Sequence, residues 1–193
     1  YGAIKLDLLS KDYCDSNLSN SNGISQKNRI KNAILKKKDG QKYWESLQGQ
    51  VYGNFIQHAE IFPGVANFLF HCFNRDIKVF IVSHKTEFGH HDNSATPLRK
   101  AAIKFLKEKK ILNIDYSPSR KDVFFFDTRE KKVNKIDVLN CNYFIDDLPE
   151  VFLEPNFPKK TKKIIFSPVG QISENNTFNN WYKINEYFFD DIK

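Results

Sequence analysis

Two carboxylates side by side, Asp146 and Asp147, close the apolar run Cys141–Ile145, and Leu148 and Pro149 then break it. In an open parallel sheet, ligands sit just beyond the carboxyl ends of the strands. Packing accounts poorly for two aspartates there, because each prefers water or a cation. Mg²⁺ is held by one or two carboxylates together with waters and substrate phosphate. The stretch therefore reads either as a Mg²⁺ site at a strand tip or as a solvated turn that starts with Asp. A second apolar run, Ile77–Val82, ends in Ser83, His84, Lys85 and Thr86. A hydroxyl followed by a basic residue at such a tip suits a phosphate oxygen. A serine that merely turns the chain is the plain alternative. Lys132 shares an i, i+4 row with Ile136 and so leans toward a sheet, whereas Lys131 and Lys135 read as solvated. His90, His91 and Asp92 invite a metal reading, but adjacent side chains rarely converge on one ion.

The elements that must position these residues follow from apolar periodicity. Ile77–Val82 is nearly all apolar, the mark of a strand buried on both faces. Asp122–Phe126, Tyr143–Ile145 and Ile164–Phe166 are the other expected strands. Between them, Val65–Asn74 and Pro97–Lys110 read as helices, and Thr128 caps a third with Val133, Ile136 and Leu139 inward. Trp181–Phe189 is a final amphipathic helix. This alternation predicts a parallel α/β sheet with right-handed crossovers and helices on both faces. Before the Phe62-Pro63-Gly64 turn the pattern is helical. Tyr1–Tyr13, a stretch from a Ser25 cap to Lys38, and Tyr43–Glu60 all carry helical spacing, with a loop at Asn17–Asn22 and a stop at Lys36–Gly40. The aromatic stripe that includes Trp44 and Tyr52 reads first as local core. Gly49 and Gly53 each weaken a helix by about 1 kcal/mol, so a break is expected near them. Pro155–Lys163 and Ser167–Asn180 read as loop.

The chain has 193 residues, which suits one domain with room for a small insertion. Its net charge of +7 is spread among interleaved acids, a pattern that attracts anions in general. A nucleic-acid partner would call for a basic stripe with stacking aromatics, and none stands out. Cys14, Cys72 and Cys141 are isolated, as expected of reduced thiols in a cytosol, and lack zinc spacing. No apolar run is long enough to span a membrane and no signal peptide is visible, so a cytoplasmic protein without a membrane partner is expected. The first residue is Tyr rather than Met, so the true start is expected upstream.

FIVSHKT (Phe80–Thr86), Lys132 and FIDDLPEV (Phe144–Val151), in that order and spacing, resemble the second, third and fourth motifs of the haloacid dehalogenase superfamily of Mg²⁺-dependent phosphohydrolases. WESLQGQVYG (Trp44–Gly53), FPGV, VSHKT and TREKKVNKI…NCNYFIDDLPEV are similar to a little-characterised subgroup of its phosphatases. The resemblance covers about Tyr43 to Phe166. It implies a three-layer, Rossmann-like parallel sheet with a small helical cap, residues 1–61 being mainly cap and 62–193 the α/β core. It also implies Mg²⁺ as cofactor, a small phosphorylated substrate and an aspartyl-phosphate intermediate. Ser83 and the His84 amide would then hold the phosphoryl group together with Lys132. Lys132 and Asp146 would be the catalytic pair in this chain. Asp146 would bind Mg²⁺ directly and Asp147 directly or through water, while Trp44, Tyr52 and Lys85 would select the substrate. The family's first-strand Asp-x-Asp pattern has no match. Its only candidate is Asp7, and Leu9 two positions on donates no proton. The first strand and its aspartates are thus expected before Tyr1. Two other readings stand beside this one. The first is a degenerate relative that binds a phosphorylated ligand or partner without turnover. The second is a nucleic-acid-binding domain, suggested by charge alone.

Overall fold

The structure, a computed structural model, describes residues 26–168 and 176–190. The expected Tyr1–Tyr13 helix, the Asn17–Asn22 loop, the Ser25 cap, Asp7 and Cys14 lie outside the described residues.

All the strand pairing among the described residues is parallel, as the alternation of strand and helix requires, but it falls into two sheets rather than one. β1 (Ile81–His84) pairs with β2 (Val123–Phe126), Ile81 beside Val123 and His84 beside Phe126. β3 (Tyr143–Asp146) pairs with β4 (Lys162–Phe166), which in turn pairs with the two-residue β5 (Thr177–Phe178). β1 starts later than its apolar run suggests. Ile77 is 45% exposed, and among the described residues no strand pairs with residues 77–80. β5 falls inside the stretch read as loop, because two residues are too few to show a period. β4 begins two residues before the expected Ile164, on exposed lysines that carry no apolar signal.

Seven α-helices are described. α1 (Gln26–Leu35) and α2 (Gly40–Tyr52) precede the strands. Gly40 opens α2 rather than simply stopping the previous helix. A Cβ there would lie 2.2 Å from the Ile34 carbonyl oxygen, so the glycine lets α2 start hard against α1. The break expected near Gly49 and Gly53 falls at the second. α2 runs through Gly49 and ends at Gly53, whose N–H donates to the Gly49 carbonyl. Gly49 instead marks a close approach, since a Cβ on it would come within 2.6 Å of the Asp92 Cβ. α3 (Val65–Phe73), α4 (Leu98–Glu108), α5 (Arg129–Val138), the one-turn α6 (Pro149–Phe152) and α7 (Trp181–Phe189) follow.

Two apolar clusters hold these elements. In the first, Phe68, Leu69 and Cys72 of α3, Ala102 and Phe105 of α4, and Ile184 and Phe189 of α7 pack with Val123 and Phe166. Phe68 is its hub, with the rings of Trp181, Phe188 and Phe189 centred 5.3, 5.4 and 5.5 Å away. Such pairs add about 0.5–1.5 kcal/mol each beyond the area they bury, which gives the phenylalanine-rich composition a structural use. In the second cluster, Val133 and Ile136 of α5 and Val151 and Phe152 of α6 pack with Val82 of β1. The chain is therefore a mixed α/β protein with small parallel sheets. No helix among the described residues is long and apolar enough to cross a membrane.

Candidate functional site

The best-defined cluster begins at the start of α5. Thr128 is its N-cap, and its hydroxyl accepts from the Lys131 N–H at 3.2 Å, which satisfies one of the donors a helix end leaves over. That start puts Lys132 in one row with Ile136 and beside Val133, both fully buried. Lys132 is carried inward with them and is 5% exposed. Its ammonium lies 5.3 Å from the Phe144 ring centroid and forms an ion pair with Asp146 Oδ2. Asp146 ends β3, and its Oδ1 accepts from the Leu148 N–H at 3.0 Å. This Asx-type turn bends the chain away from the sheet. Both oxygens of Asp146 are thus engaged, and its side chain is only 9% exposed. The solvated-turn reading fits Asp147, which is exposed, but not Asp146.

At the tip of β1, Ser83 is half-buried beside Phe125, and His84 is exposed. A ring nitrogen of His84 lies 2.8 Å from the Asp127 carbonyl oxygen, a hydrogen bond it makes when that nitrogen carries a proton. The Lys85 N–H donates to the Phe126 carbonyl at 2.8 Å, and the Lys85 carbonyl accepts from Arg99 Nε at 3.0 Å. Arg99 also ion-pairs with Asp127. Arg99 and Asp127 therefore tie the tips of β1 and β2 to α4, a role sequence reasoning missed. Asp127 did leave a signal, since it closes the apolar run VFFF as Asp146 closes its own. Arg99 left none.

Lys85 points toward α2, and its ammonium lies 4.5 Å from the centroid of the Tyr52 ring. It is 8% exposed, and burial pushes its pKa down from 10.5 to about 8. The unfolded chain holds this proton up to about pH 10, while the folded chain releases it near pH 8. Unfolded molecules bind more protons across that window, so stability rises with pH there. Below pH 8 the fold carries the full cost of the buried charge, on the order of 3 kcal/mol at most. Lys85→Met is expected to be more stable than the parent at pH 7, with the difference shrinking between pH 8 and 10.5. Denaturant unfolding at several pH values checks this, and a constant difference would refute it.

Of the residues singled out in the sequence, the structure brings Lys132 and Asp146 into contact, and Tyr52 and Lys85 likewise. Ser83 and His84 share the tip of β1, against which α5 packs. No hydrogen bond among the described residues joins Ser83 to Lys132 or Asp146. Trp44 is 6% exposed and belongs to the core of α2, so it offers a ligand little surface. His91 lies 3.4 Å from Glu45 on α2, and Asp92 accepts from the Ser94 N–H and hydroxyl. Among the described residues no three His, Cys, Asp or Glu side chains gather as a metal site. Asp146 and Asp147 supply two carboxylates, the share that Mg²⁺ usually takes from a protein when waters and phosphate fill the rest of its shell.

No family model matches the chain, and no curated protein or solved structure matches it.

Proposed function

We propose that this chain carries the phosphate- and Mg²⁺-binding half of a phosphomonoesterase active site, in a three-layer haloacid-dehalogenase-like core with a small helical cap. The observation that carries the reading is the Lys132–Asp146 pair, buried at the carboxyl end of a parallel strand. A buried ion pair is rarely kept for stability, because apolar residues of similar size hold a core as well or better. The carboxyl ends of parallel strands are also where α/β sheets bind ligands.

The division of the sheet supports the same reading. Among the described residues β1 bonds to β2 alone and β3 to β4 alone, so each has a free edge. The apolar clusters nevertheless run across both sheets. Ile81 and Phe125 meet the first cluster, as do Ile145 and Phe178. Phe80 and Phe124 meet the second, as do Phe144 and Ile165. One more parallel strand between β1 and β3 would join the sheets and bring an attacking carboxylate up between Ser83 and Asp146.

In that arrangement the Ser83 hydroxyl and the His84 N–H would donate to phosphoryl oxygens, and Lys132 would offset their charge. The first carboxylate of the added strand would attack phosphorus, the ester P–O bond would break with the leaving oxygen taking a proton from that strand's second carboxylic acid, and water would later hydrolyse the acyl phosphate. Asp146 and Asp147 would hold Mg²⁺, which would supply further positive charge at the phosphoryl group. Tyr52 and Lys85, on facing elements, are the contacts through which the cap would bear on the substrate. A second reading, binding without turnover, draws on the engagement of both Asp146 oxygens within the protein itself.

Calorimetric titration with Mg²⁺ and with inorganic phosphate tests the proposal independently of turnover. Mg²⁺ binding lost in Asp146→Asn, with phosphate binding lost in Ser83→Ala and circular dichroism unchanged, is the expected result. Phosphate binding without Mg²⁺ would favour the second reading, and binding of neither would overturn both.

A further inference from the structure

We propose that the outer edge of β2 is a docking groove for an extended acidic peptide, which adds to the sheet as one more strand. This surface is independent of the phosphatase reading. The groove holds about 780 Å³ and lies between β2 and α4. Five basic side chains line it, Arg99, Lys100, Lys104 and Lys107 of α4 together with Arg120. Arg99 is already paired with Glu87 and Asp127, and Lys104 with Glu108, so Lys100, Lys107 and Arg120 carry most of the positive charge offered to a partner. Its floor is the strand Val123–Phe126, whose phenylalanines are only half-buried.

The ladder shows which backbone groups face the groove. In a parallel pair, alternate residues bond to the same neighbour. Phe126 accepts from Lys85 on the β1 side, so the N–H and C=O of Phe125 point the other way. The Val123 carbonyl on that outer side already accepts from Arg120 at 3.1 Å. Among the described residues no strand pairs with this edge.

Charge and hydrogen bonding together select the occupant. A second copy of this chain pairing edge to edge would set two basic rims against each other, which repel. A nucleic-acid backbone would satisfy the lysines, but it offers at most a ribose hydroxyl, not a regularly spaced donor and acceptor, to the Phe125 carbonyl and N–H. A peptide strand supplies both a donor and an acceptor at the required spacing, and its alternate side chains fall to the apolar floor and the basic rim. Acidic residues on the rim side complete the match.

The probe is a fluorescein-labelled peptide of alternating glutamate and valine, titrated by anisotropy. Saturable binding is expected. Combined charge reversal at Lys100, Lys104 and Lys107 is expected to weaken it by at least about tenfold, equivalent to about 1.4 kcal/mol. All three sit on exposed positions of α4, and circular dichroism reports whether the fold survives. On the parent protein, N-methylation of alternate peptide bonds in the probe is expected to abolish binding. Binding that survives N-methylation would overturn strand addition. So would tighter binding of single-stranded RNA than of the peptide, or a concentration-dependent dimer lost on charge reversal. Absence of peptide binding, with aggregation of the charge-reversed variant, would show instead that the lysines only guard an exposed edge.

Discussion

Lys132→Met is expected to lower the unfolding free energy by about 3–5 kcal/mol, the usual cost of removing one partner from a buried ion pair. The substitution keeps most of the side-chain volume, so little of the loss can come from a cavity. The loss comes from Asp146, whose carboxylate stays 9% exposed with only the Leu148 N–H as partner. Lys132→Met combined with Asp146→Leu is expected to return the protein close to its original stability or above it, because no charge is then left stranded. Denaturant midpoints of the two single variants and the double variant close a thermodynamic cycle. A cost for Lys132→Met below about 1 kcal/mol, the range of exposed pairs, would show that the pair is solvated. The double variant has a second use. If it is stable yet binds neither Mg²⁺ nor phosphate, the pair is maintained for the site rather than for the fold.

The strands were legible where composition follows from burial. VFFF, YFI and IIF are short and apolar because they pack against helices, and their parallel pairing follows from the helices between them. The inward turn of Lys132 was legible for the same reason, since helical spacing ties it to Ile136. The extent of β1 was not. Residues 77–80 read as strand but pair with no strand among the described residues, and pairing is a property of two segments rather than one. The Gly49 close approach was hidden because propensity counts glycine as a helix cost. Propensity does not record that a loop forty residues later needs the space. Arg99 was hidden for a similar reason. Its guanidinium reaches Asp127 and the Lys85 carbonyl only after β1, α4 and β2 have come together, and a lone arginine at a helix start looks the same when it is solvated. Asp127 and Asp146 each follow an apolar run, and only the second has a neighbouring carboxylate to mark it. The structure separates Asp127, half-exposed and tied to Arg99, from Asp146, buried against Lys132.

The chain from Tyr1 to Lys193 is expected to hydrolyse p-nitrophenyl phosphate several powers of ten more slowly than a form that also carries an Asp-x-Asp strand between β1 and β3. The groups that bind and those that react are different here. In the proposed site Ser83, His84 and Lys132 would hold a phosphoryl group, and Asp146 and Asp147 a cation. Neither aspartate would be the attacking carboxylate in that arrangement, since Asp146 is committed to Lys132 and to the turn and Asp147 would be taken up by the cation. Binding alone forgoes the covalent route that divides the reaction into two easier steps. In a serine protease, losing the nucleophile costs a factor of about a million in turnover, and the remaining binding groups retain about a thousand-fold over water. A low, Mg²⁺-dependent rate is therefore expected rather than none. Asp7 is the one carboxylate in this sequence with any claim to the missing role. The assay is run with Mg²⁺ and with a chelator, on the chain, on the extended form and on Asp7→Asn. Full turnover by the 193-residue chain that vanishes in Asp7→Asn would make Asp7 the nucleophile. The added strand would then have to come from residues before α1, with Leu9 in the place where the acid is expected and another group donating the proton to the leaving oxygen.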